Sequence, residues 1–333
     1  MKIGVLGAGS WGIALSRVLQ ENGHNICLWE FDAEAFKILE QKREAADKLP
    51  GIKIPDSILI SNNLETVLHG TDALVIAVPS HTLRGVASSL NRYQLKNKLI
   101  INVSKGIENN TLLTLSQVFK EVCNNFTQTN YTALCGPSHA EEVSQKLPTT
   151  VVSAASDIGT AEAVQKLFSC AYLRVYTNHD LLGVEISSAL KNVIAIAAGI
   201  SDGLGYGDNA KGALLTRGIV EMSRLVKAMG GDKQTCFGLS GIGDLIATCT
   251  SRHSRNRYVG EKIGKGIKLS DILSGMSMVA EGVNTTRSAY DLAIRNGIEM
   301  PITEQVYLVL FKEKSPLLAV KELMTREFKA EVS

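Results

Sequence analysis

A six-residue glycine loop between an apolar strand and an apolar-periodic helix constrains this chain more than any other feature. Gly7-Ala8-Gly9-Ser10-Trp11-Gly12 matches G-x-G-x-x-G, follows the run Ile3-Gly4-Val5-Leu6, and precedes Ile13, Ala14, Val18 and Leu19. In that setting Gly7 permits the tight turn, Gly9 lets backbone approach a pyrophosphate, and Gly12 lets the helix pack close to the strand. The helix N-terminus then offers free N–H groups and the positive end of its dipole to phosphate. The same letters occur in kinase-type loops, but those run into another strand and this one runs into a helix. A second apolar run ends at Trp29-Glu30, placing an acid roughly twenty residues past the loop, where it can hold ribose hydroxyls.

Those residues point to NAD or NADP. Glu30 would repel the extra phosphate of NADP, and neither Phe31 nor Asp32 brings the positive charge that welcomes it, so residue chemistry favours NAD. Read alone, Glu30 also fits a solvated carboxylate at a strand end.

Apolar runs bounded by turn residues recur through the first half: Ile3 to Leu6, Ile26 to Trp29, Ala73 to Val78 and Leu99 to Val103. Buried parallel strands read as continuous apolar runs of this kind. Amphipathic stretches such as Ile13 to Gln20 and Leu112 to Val122 alternate with them, as in βαβ units. Runs at Thr132 to Cys135, Thr150 to Ser153 and Leu173 to Tyr176 extend the sheet with some antiparallel edge pairing. Past about Asn178 helical periodicity takes over, over Val184 to Ala198, Ala213 to Ala228, Leu239 to Cys249, Asn256 to Gly264, Gly282 to Asn296 and Thr303 to Lys312. The expected fold is α/β: a doubly wound Rossmann-type sheet over residues 1–182, which binds NAD(P), and an all-helical domain over 183–333, which binds substrate and carries the catalytic groups. At 333 residues, two cores are the expectation.

Charge excludes some functions. Lysine plus arginine (35) nearly balances aspartate plus glutamate (33), so there is no basic field for nucleic acid. The six cysteines include no Cys-x-x-Cys pair and read as reduced thiols. The histidines show no metal-ligand spacing, so no metal is expected. Met1-Lys2 leads directly into a strand, unlike a signal peptide. Glu185, Lys191 and Asn192 interrupt the apolar stretch Val184 to Ile200, which is read as falling short of a membrane span. A cytoplasmic location follows as an expectation.

The second half holds the candidate chemistry. Hydride transfer at an alcohol carbon needs a group that exchanges the hydroxyl proton. Lys191, in Ser187-Ser188-Ala189-Leu190-Lys191-Asn192-Val193, lies on a helix apolar nearly all round, and burial would lower its pKa toward a working range. The alternative is a lysine that carries its ammonium out to solvent. Gly203 to Gly212 holds four glycines and suits a loop where backbone meets a ligand. Asp244, in Leu239-Ser240-Gly241-Ile242-Gly243-Asp244-Leu245, could pair with Lys191 or orient a substrate hydroxyl. Ser251-Arg252-His253-Ser254-Arg255-Asn256-Arg257 suits a phosphate ester, or simply a solvated charged face.

Eight blocks taken in order make a more specific pattern. They are Gly7 to Gly12, Val103-Ser104-Lys105-Gly106-Ile107-Glu108, Gly136-Pro137-Ser138-His139-Ala140, Leu190-Lys191-Asn192-Val193, Gly241-Ile242-Gly243-Asp244-Leu245, Ser254-Arg255-Asn256, Val279-Ala280-Glu281-Gly282 and Pro301-Ile302-Thr303-Glu304. Together they resemble the NAD(P)-dependent glycerol-3-phosphate dehydrogenases of bacterial type, up to about Tyr307. The resemblance implies reversible reduction of dihydroxyacetone phosphate to sn-glycerol 3-phosphate for glycerophospholipid synthesis, by a homodimer. It implies that Lys191 donates and accepts the proton, and that Lys105, Gly136, Ser138, Asp244, Ser254, Arg255 and Asn256 contact substrate. Ser10, Trp11, Phe31, Ala140, Val279 and Glu281 would line the dinucleotide, with Lys105 and Arg255 near it.

Physical roles fit these positions. Lys105 can polarise a carbonyl, and Arg255 offers a planar fork to phosphate, with Asn256 or Ser254 donating further hydrogen bonds. Asp244 would orient Lys191, although an ion pair would raise the lysine pKa against the effect of burial. Phe31 departs from the arginine or histidine that many bacterial members carry there, which weakens the expectation of an NADPH preference. Two other readings share part of the pattern. A hydroxy-acid or sugar-acid dehydrogenase would share Lys191-Asn192 but lack Ser254-Arg255-Asn256, and a non-catalytic NAD-sensing protein would have no reason to keep Lys105, Lys191 and Asp244 together.

Overall fold

The computed structural model describes residues 1–276, 278–328 and 330–331; Ser277, Lys329, Val332 and Ser333 lie outside them. The first half alternates strands and helices: β1 (Lys2–Leu6), α1 (Ser10–Glu21), β2 (Asn25–Trp29), α2 (Ala33–Lys42), β3 (Leu59–Ser61), α3 (Leu64–Leu68), β4 (Ala73–Ile76), α4 (Leu83–Leu90), β5 (Leu99–Asn102), α5 (Leu115–Val122) and β6 (Tyr131–Cys135). It continues through α6 (Ala140–Ser144), β7 (Thr149–Ala154), α7 (Ile158–Phe168) and β8 (Leu173–Asn178). The strands form one sheet in the order β3-β2-β1-β4-β5-β6-β7-β8. Pairing is parallel from β3 to β6, antiparallel between β6 and β7, and parallel again between β7 and β8.

The apolar runs are continuous because helices cover both faces. Ile3, Val5 and Val75 join one buried cluster with Ile13, Leu15 and Phe168, whereas Leu6, Leu74 and Ile76 join another with Leu83, Phe119 and Val184. Strand order reverses between β1 and β4, so the crevice beyond their C-terminal ends opens beside the glycine loop.

From Leu181 the chain is helical: α8 (Leu181–Gly203), α9 (Asp208–Ala228), α10 (Asp244–Thr250), α11 (Arg255–Gly264), α12 (Leu269–Ser274), α13 (Glu281–Arg295), α14 (Pro301–Phe311) and α15 (Pro316–Met324). We divide the chain at the turn between β8 and α8. Helix α8 is the axis of the second core; Ala189, Val193 and Ile196 are fully buried in it with Met222, Leu245 and Val259. By length and hydropathy α8 is capable of crossing a bilayer, contrary to the sequence reading that its polar residues leave it too short. Its surroundings are protein, with 89% of the apolar window buried. Helices α8 and α11 approach unusually closely: a Cβ on Gly260 would lie 2.0 Å from the Ile196 carbonyl oxygen, and one on Gly199 the same distance from that of Arg257.

Two expectations need correction. Gly203 to Gly212 is not a ligand loop. Gly205, at φ +78, ends α8 in a Schellman motif, with Tyr206 N–H donating to Ser201 O and Gly205 N–H to Asp202 O. Asp208 then opens α9 in the first turn, where its charge suits the dipole, and Gly212 lies within that helix. The glycines mark one helix stop and one start. The expected helix over Leu239 to Cys249 is composite. It begins as a π-type turn over Leu239–Gly243, with Gly243 N–H donating to Gly238 O, and becomes α-helical only at Asp244.

Candidate active site

The glycine loop forms a cradle of the kind a dinucleotide needs. Gly7, at φ +112, has its Cβ position 2.6 Å from the Ala77 carbonyl oxygen, so a side chain there would strike the end of β4. A Cβ on Gly12 would fall 1.9 Å from Gly7 O, which explains the close seat of α1. Beyond its own chain neighbours, nothing lies within 4 Å of where a Cβ on Gly9 would sit, and this is open space for a pyrophosphate. These residues fit NAD(P).

The cleft beside this loop is lined by Gly7, Gly9, Ser10, Trp11, Glu30 and Phe31 at one end and by Lys191, Asp244, Ser254, Arg255 and Asn256 at the other. Lys105, Ser138, Ala140, Val279 and Glu281 line the stretch between. Gly12 lies behind the wall as a packing residue, and Gly136 reaches the site through its carbonyl, which accepts from Lys105 Nζ at 3.2 Å.

At the helical end a buried carboxylate serves two ammonium groups. Lys105 Nζ lies 2.6 Å from Asp244 Oδ2 and Lys191 Nζ lies 3.0 Å from Asp244 Oδ1. Lys105 arrives from the end of β5, Lys191 from the middle of α8 and Asp244 from the first turn of α10. Lys191 is only 6% exposed, so it does not carry its ammonium to solvent. A buried and a partly buried cation share one anion, and burial prevails at Lys191: its pKa falls to about 8, with Asp244 opposing the shift and Lys105 assisting it. At Lys105 burial also acts downward, but Asp244 outweighs it and the pKa is raised. Burial pushes Asp244 up, yet the two ammonium groups hold it below the usual carboxylate range. Asp244 therefore anchors Lys191 without cancelling the effect of burial, because its second oxygen is committed to Lys105.

Thr248 completes this cluster and had no place in the sequence reading. Its hydroxyl accepts from Lys191 Nζ at 2.7 Å and donates to Asp244 Oδ1 at 3.1 Å. The i, i+4 spacing from Asp244 on one helix face was the available signal.

The Ser254-Arg255-Asn256 turn opens α11, but its side chains are not all free for a phosphate. Ser254 Oγ caps the helix by accepting from Arg257 N–H at 3.2 Å. The Asn256 amide donates to Asn192 Oδ1 at 2.8 Å and accepts from Gly282 N–H at 2.9 Å. Asn256 thus ties α8, α11 and α13 together, and because it lines the cleft and only one of its two amide hydrogens is used in this link, the other is free for the substrate contact the resemblance implies. Open to an anion are the α11 N-terminus, the second Asn256 amide hydrogen and the Arg255 guanidinium, which meanwhile donates to Val279 O at 3.0 Å. Ser138 Oγ donates to Gly136 O at 3.0 Å. Glu281 crosses the cleft and accepts from Ser80 N–H at 3.0 Å and from the Ser80 hydroxyl.

At the strand end, Glu30 is not a solvated carboxylate. It is 8% exposed and accepts from Asp32 N–H at 3.1 Å. Phe31 is 79% exposed and meets Trp29 edge-on, ring centroids 5.8 Å apart. The local sequence showed no cation here, but Lys48 supplies one: its Nζ lies 3.5 Å from Glu30 Oε2 and it lines the cleft. It comes from the irregular segment between α2 and β3, where no pattern marks it. Among the described residues no cluster of three or more His, Cys, Asp or Glu side chains is arranged to hold a metal ion.

Comparison with known proteins agrees over nearly the whole chain. Residues 2–161 match the N-terminal family model of NAD-dependent glycerol-3-phosphate dehydrogenase and residues 180–321 match the C-terminal one. A glycerol-3-phosphate dehydrogenase [NAD(P)+] of Chlorobium phaeobacteroides is 51% identical over 332 residues, covering 100% of this chain and 99% of the relative. That of Chlorobium limicola is 49% identical, with both chains fully covered. The crystal structure of glycerol-3-phosphate dehydrogenase from Coxiella burnetii superposes with a TM-score of 0.93 at 34% identity, over 98% of this chain and 99% of the other.

Proposed function

The chain belongs to the NAD-dependent glycerol-3-phosphate dehydrogenase family, and we propose that it reversibly reduces dihydroxyacetone phosphate to sn-glycerol 3-phosphate. The observation that carries this reading is the triad of Lys191, Asp244 and Lys105, set between a dinucleotide cradle and an anion-accepting helix N-terminus.

NAD(P), when bound, supplies or accepts the hydride at the substrate carbon. The chain's own residues handle charge and protons. Lys105, held as a cation by Asp244, polarises the carbonyl oxygen. Lys191 gives its proton to that oxygen in reduction and takes it back from the hydroxyl in oxidation, a task suited to a pKa of about 8. Thr248 and Asp244 fix the direction of its N–H bonds. Arg255 and the first N–H groups of α11 hold the phosphate and so place the carbon near the nicotinamide end of the cleft.

We further assign the enzyme to the supply of the glycerophospholipid backbone, as a cytoplasmic homodimer; light scattering on the purified protein tests the oligomeric state. The activity is tested by following NADH and NADPH oxidation with dihydroxyacetone phosphate, for the parent and for Lys191→Ala. Turnover in the parent and its loss in the variant are expected. An inactive parent overturns the assignment, and an unimpaired variant removes Lys191 from its role.

A further inference from the structure

We propose that His139 and His253 form the path by which protons reach and leave Lys191 during turnover. The inference rests on Lys191 as the proton donor. Once Lys191 has given up its proton it is a neutral amine in a pocket where it is 6% exposed, and a second turnover needs a proton from outside. Its immediate neighbours do not supply one. Asp244 is ionised beside two lysines and so brings no proton of its own, Lys105 is held charged by Asp244, and a threonine hydroxyl must recover whatever proton it passes on.

Cys249 also acts on Lys191, but burial pushes its thiol up to about 12 and keeps it protonated; His139 lines the same cleft, and its charge state responds to that of Lys191. The Ala247 carbonyl, on the residue before Thr248, acts on its ring, so successive residues of α10 face His139 and Lys191. Both histidines line the cleft, and their ring centroids are 5.9 Å apart at a tilt of 49°. His253 is half-buried, and lies directly before the Ser254 cap. Two residues 114 positions apart in sequence thus pair in the cleft that Lys191 lines.

The charges around His139 suit a relay. Burial acts first to lower its pKa below the ordinary value, and the Lys191 charge adds to this; Glu141 on α6, Asp244 on α10 and the Ala247 carbonyl oppose it. While Lys191 is charged, His139 is therefore neutral and ready to accept. When Lys191 loses its proton, burial still acts on His139 but the added repulsion is gone, so the ring accepts a proton more readily, and that proton can enter from solvent through His253. His139 takes it on a ring nitrogen and passes a proton on to the lysine amine. One proton enters per carbonyl reduced, only N–H bonds form and break, and oxidation runs the same path outward.

The test is stopped-flow reduction of dihydroxyacetone phosphate by His139→Gln and His253→Gln, with NADH binding by fluorescence as the check that each variant is folded. Lys191 enters the first turnover already charged. His139→Gln should complete that turnover at the parent rate, giving a burst of one NADH per site, and then slow by about tenfold, a loss typical of a missing proton-transfer group at its lower end. Added imidazole should restore the steady rate, and the substrate KM should stay within about twofold. In the protein alone, NMR should show the His139 ring titrating at higher pH in Lys191→Met. A slowed first turnover without a burst would make His139 a positioning residue. A large rise in substrate KM would make it a phosphate contact. An unchanged steady rate, or no shift of the His139 titration in Lys191→Met, would likewise overturn the relay, whereas an inactive parent would strike the dehydrogenase reading itself.

Discussion

Asp244 divides its carboxylate between Lys105, 2.6 Å from one oxygen, and Lys191, 3.0 Å from the other. The sharing leaves one net positive charge in a buried site, and Lys191 is the member that releases its proton readily, near pH 8. Reduction needs Lys191 charged, so kcat in that direction should fall as pH rises through about 8; oxidation needs it neutral and should gain over the same range. Asp244→Asn removes the anion that both lysines share, leaves two buried ammonium groups in mutual repulsion, and should move the Lys191 titration to lower pH. A loss of about 10²- to 10⁴-fold in kcat is expected. Rate profiles that are flat from about pH 6 to pH 10 in both directions would take the proton transfer away from Lys191.

Lys48 near Glu30 gives the ribose end of the cleft a cation that two adjacent residues, Phe31 and Asp32, do not provide. With NAD it stays beside Glu30; with NADP it can turn to the added phosphate. Lys48→Gln should raise the KM for NADPH about tenfold, the size of a lost charge-assisted hydrogen bond, and leave that for NADH within about twofold. Glu30→Gln should act in the opposite sense and favour NADPH. Steady-state kinetics with both cofactors decide this, and an equal effect of Lys48→Gln on the two would deny it a role in selection.

Arg255 is the one member of the Ser254-Arg255-Asn256 turn whose side chain faces the cleft with charge to offer, since Ser254 caps α11 and Asn256 bridges three helices. Arg255→Ala should raise the KM for dihydroxyacetone phosphate far more than that for the cofactor. Comparable rises in both would assign the guanidinium to the dinucleotide instead. Asn256→Ala should lower Tm as well as activity, because it opens the link from Asn192 to Gly282.

What the sequence made legible follows from how local each signal is. The glycine loop, the continuous strands and the helical second half are short-range patterns, and they appear where expected. The pairing of Asp244 with Lys191 was legible as an expectation, but the bond from Asp244 to Lys105 was not, because the three meet through topology: a strand end, a central helix and a helix start converge. Lys48 and His253 sit in irregular segments whose spacing says nothing of what they will face. Gly203 to Gly212 misled because glycine marks helix ends and ligand loops with the same letter, and only the Tyr206 to Ser201 hydrogen bond separates the two. The structural part of Asn256 was not legible, because its bonds to Asn192 and Gly282 join residues 64 and 26 positions away.

Gly260 sets the distance between the helix carrying Lys191 and α11, whose N-terminus we propose holds the phosphate. A methyl there would meet the Ile196 carbonyl oxygen at 2.0 Å, far inside contact distance and against backbone that cannot rotate away. Gly260→Ala should destabilise the fold by about 1–3 kcal/mol or more, as overpacking does, and reduce kcat by parting α8 from α11. An unchanged Tm would mean that the two helices separate at no cost and that their close approach does not hold the site.

Glu221 supplies a pH dependence of stability that is separate from catalysis. Its carboxylate is 2% exposed and accepts from Ile302 N–H at 2.6 Å, Thr303 N–H at 3.1 Å and the Thr303 hydroxyl at 3.1 Å, capping α14. Burial outweighs these bonds and raises its pKa to about 7 from 4.5. Between those values the folded protein binds a proton that the unfolded chain does not, so stability is greatest below about pH 4.5 for this group and declines as pH rises through about 7. The full change amounts to about 3 kcal/mol, from roughly 1.4 kcal/mol per unit of pKa. Glu221→Gln keeps an acceptor for the α14 backbone but has no proton to lose. The Tm of the parent minus that of the variant should therefore fall steadily from pH 5 to pH 8, as a difference that cancels the other titrating groups. A difference that stays constant over this range would mean that Glu221 is already ionised in the folded protein at pH 5, with the three donors at the start of α14 outweighing its burial.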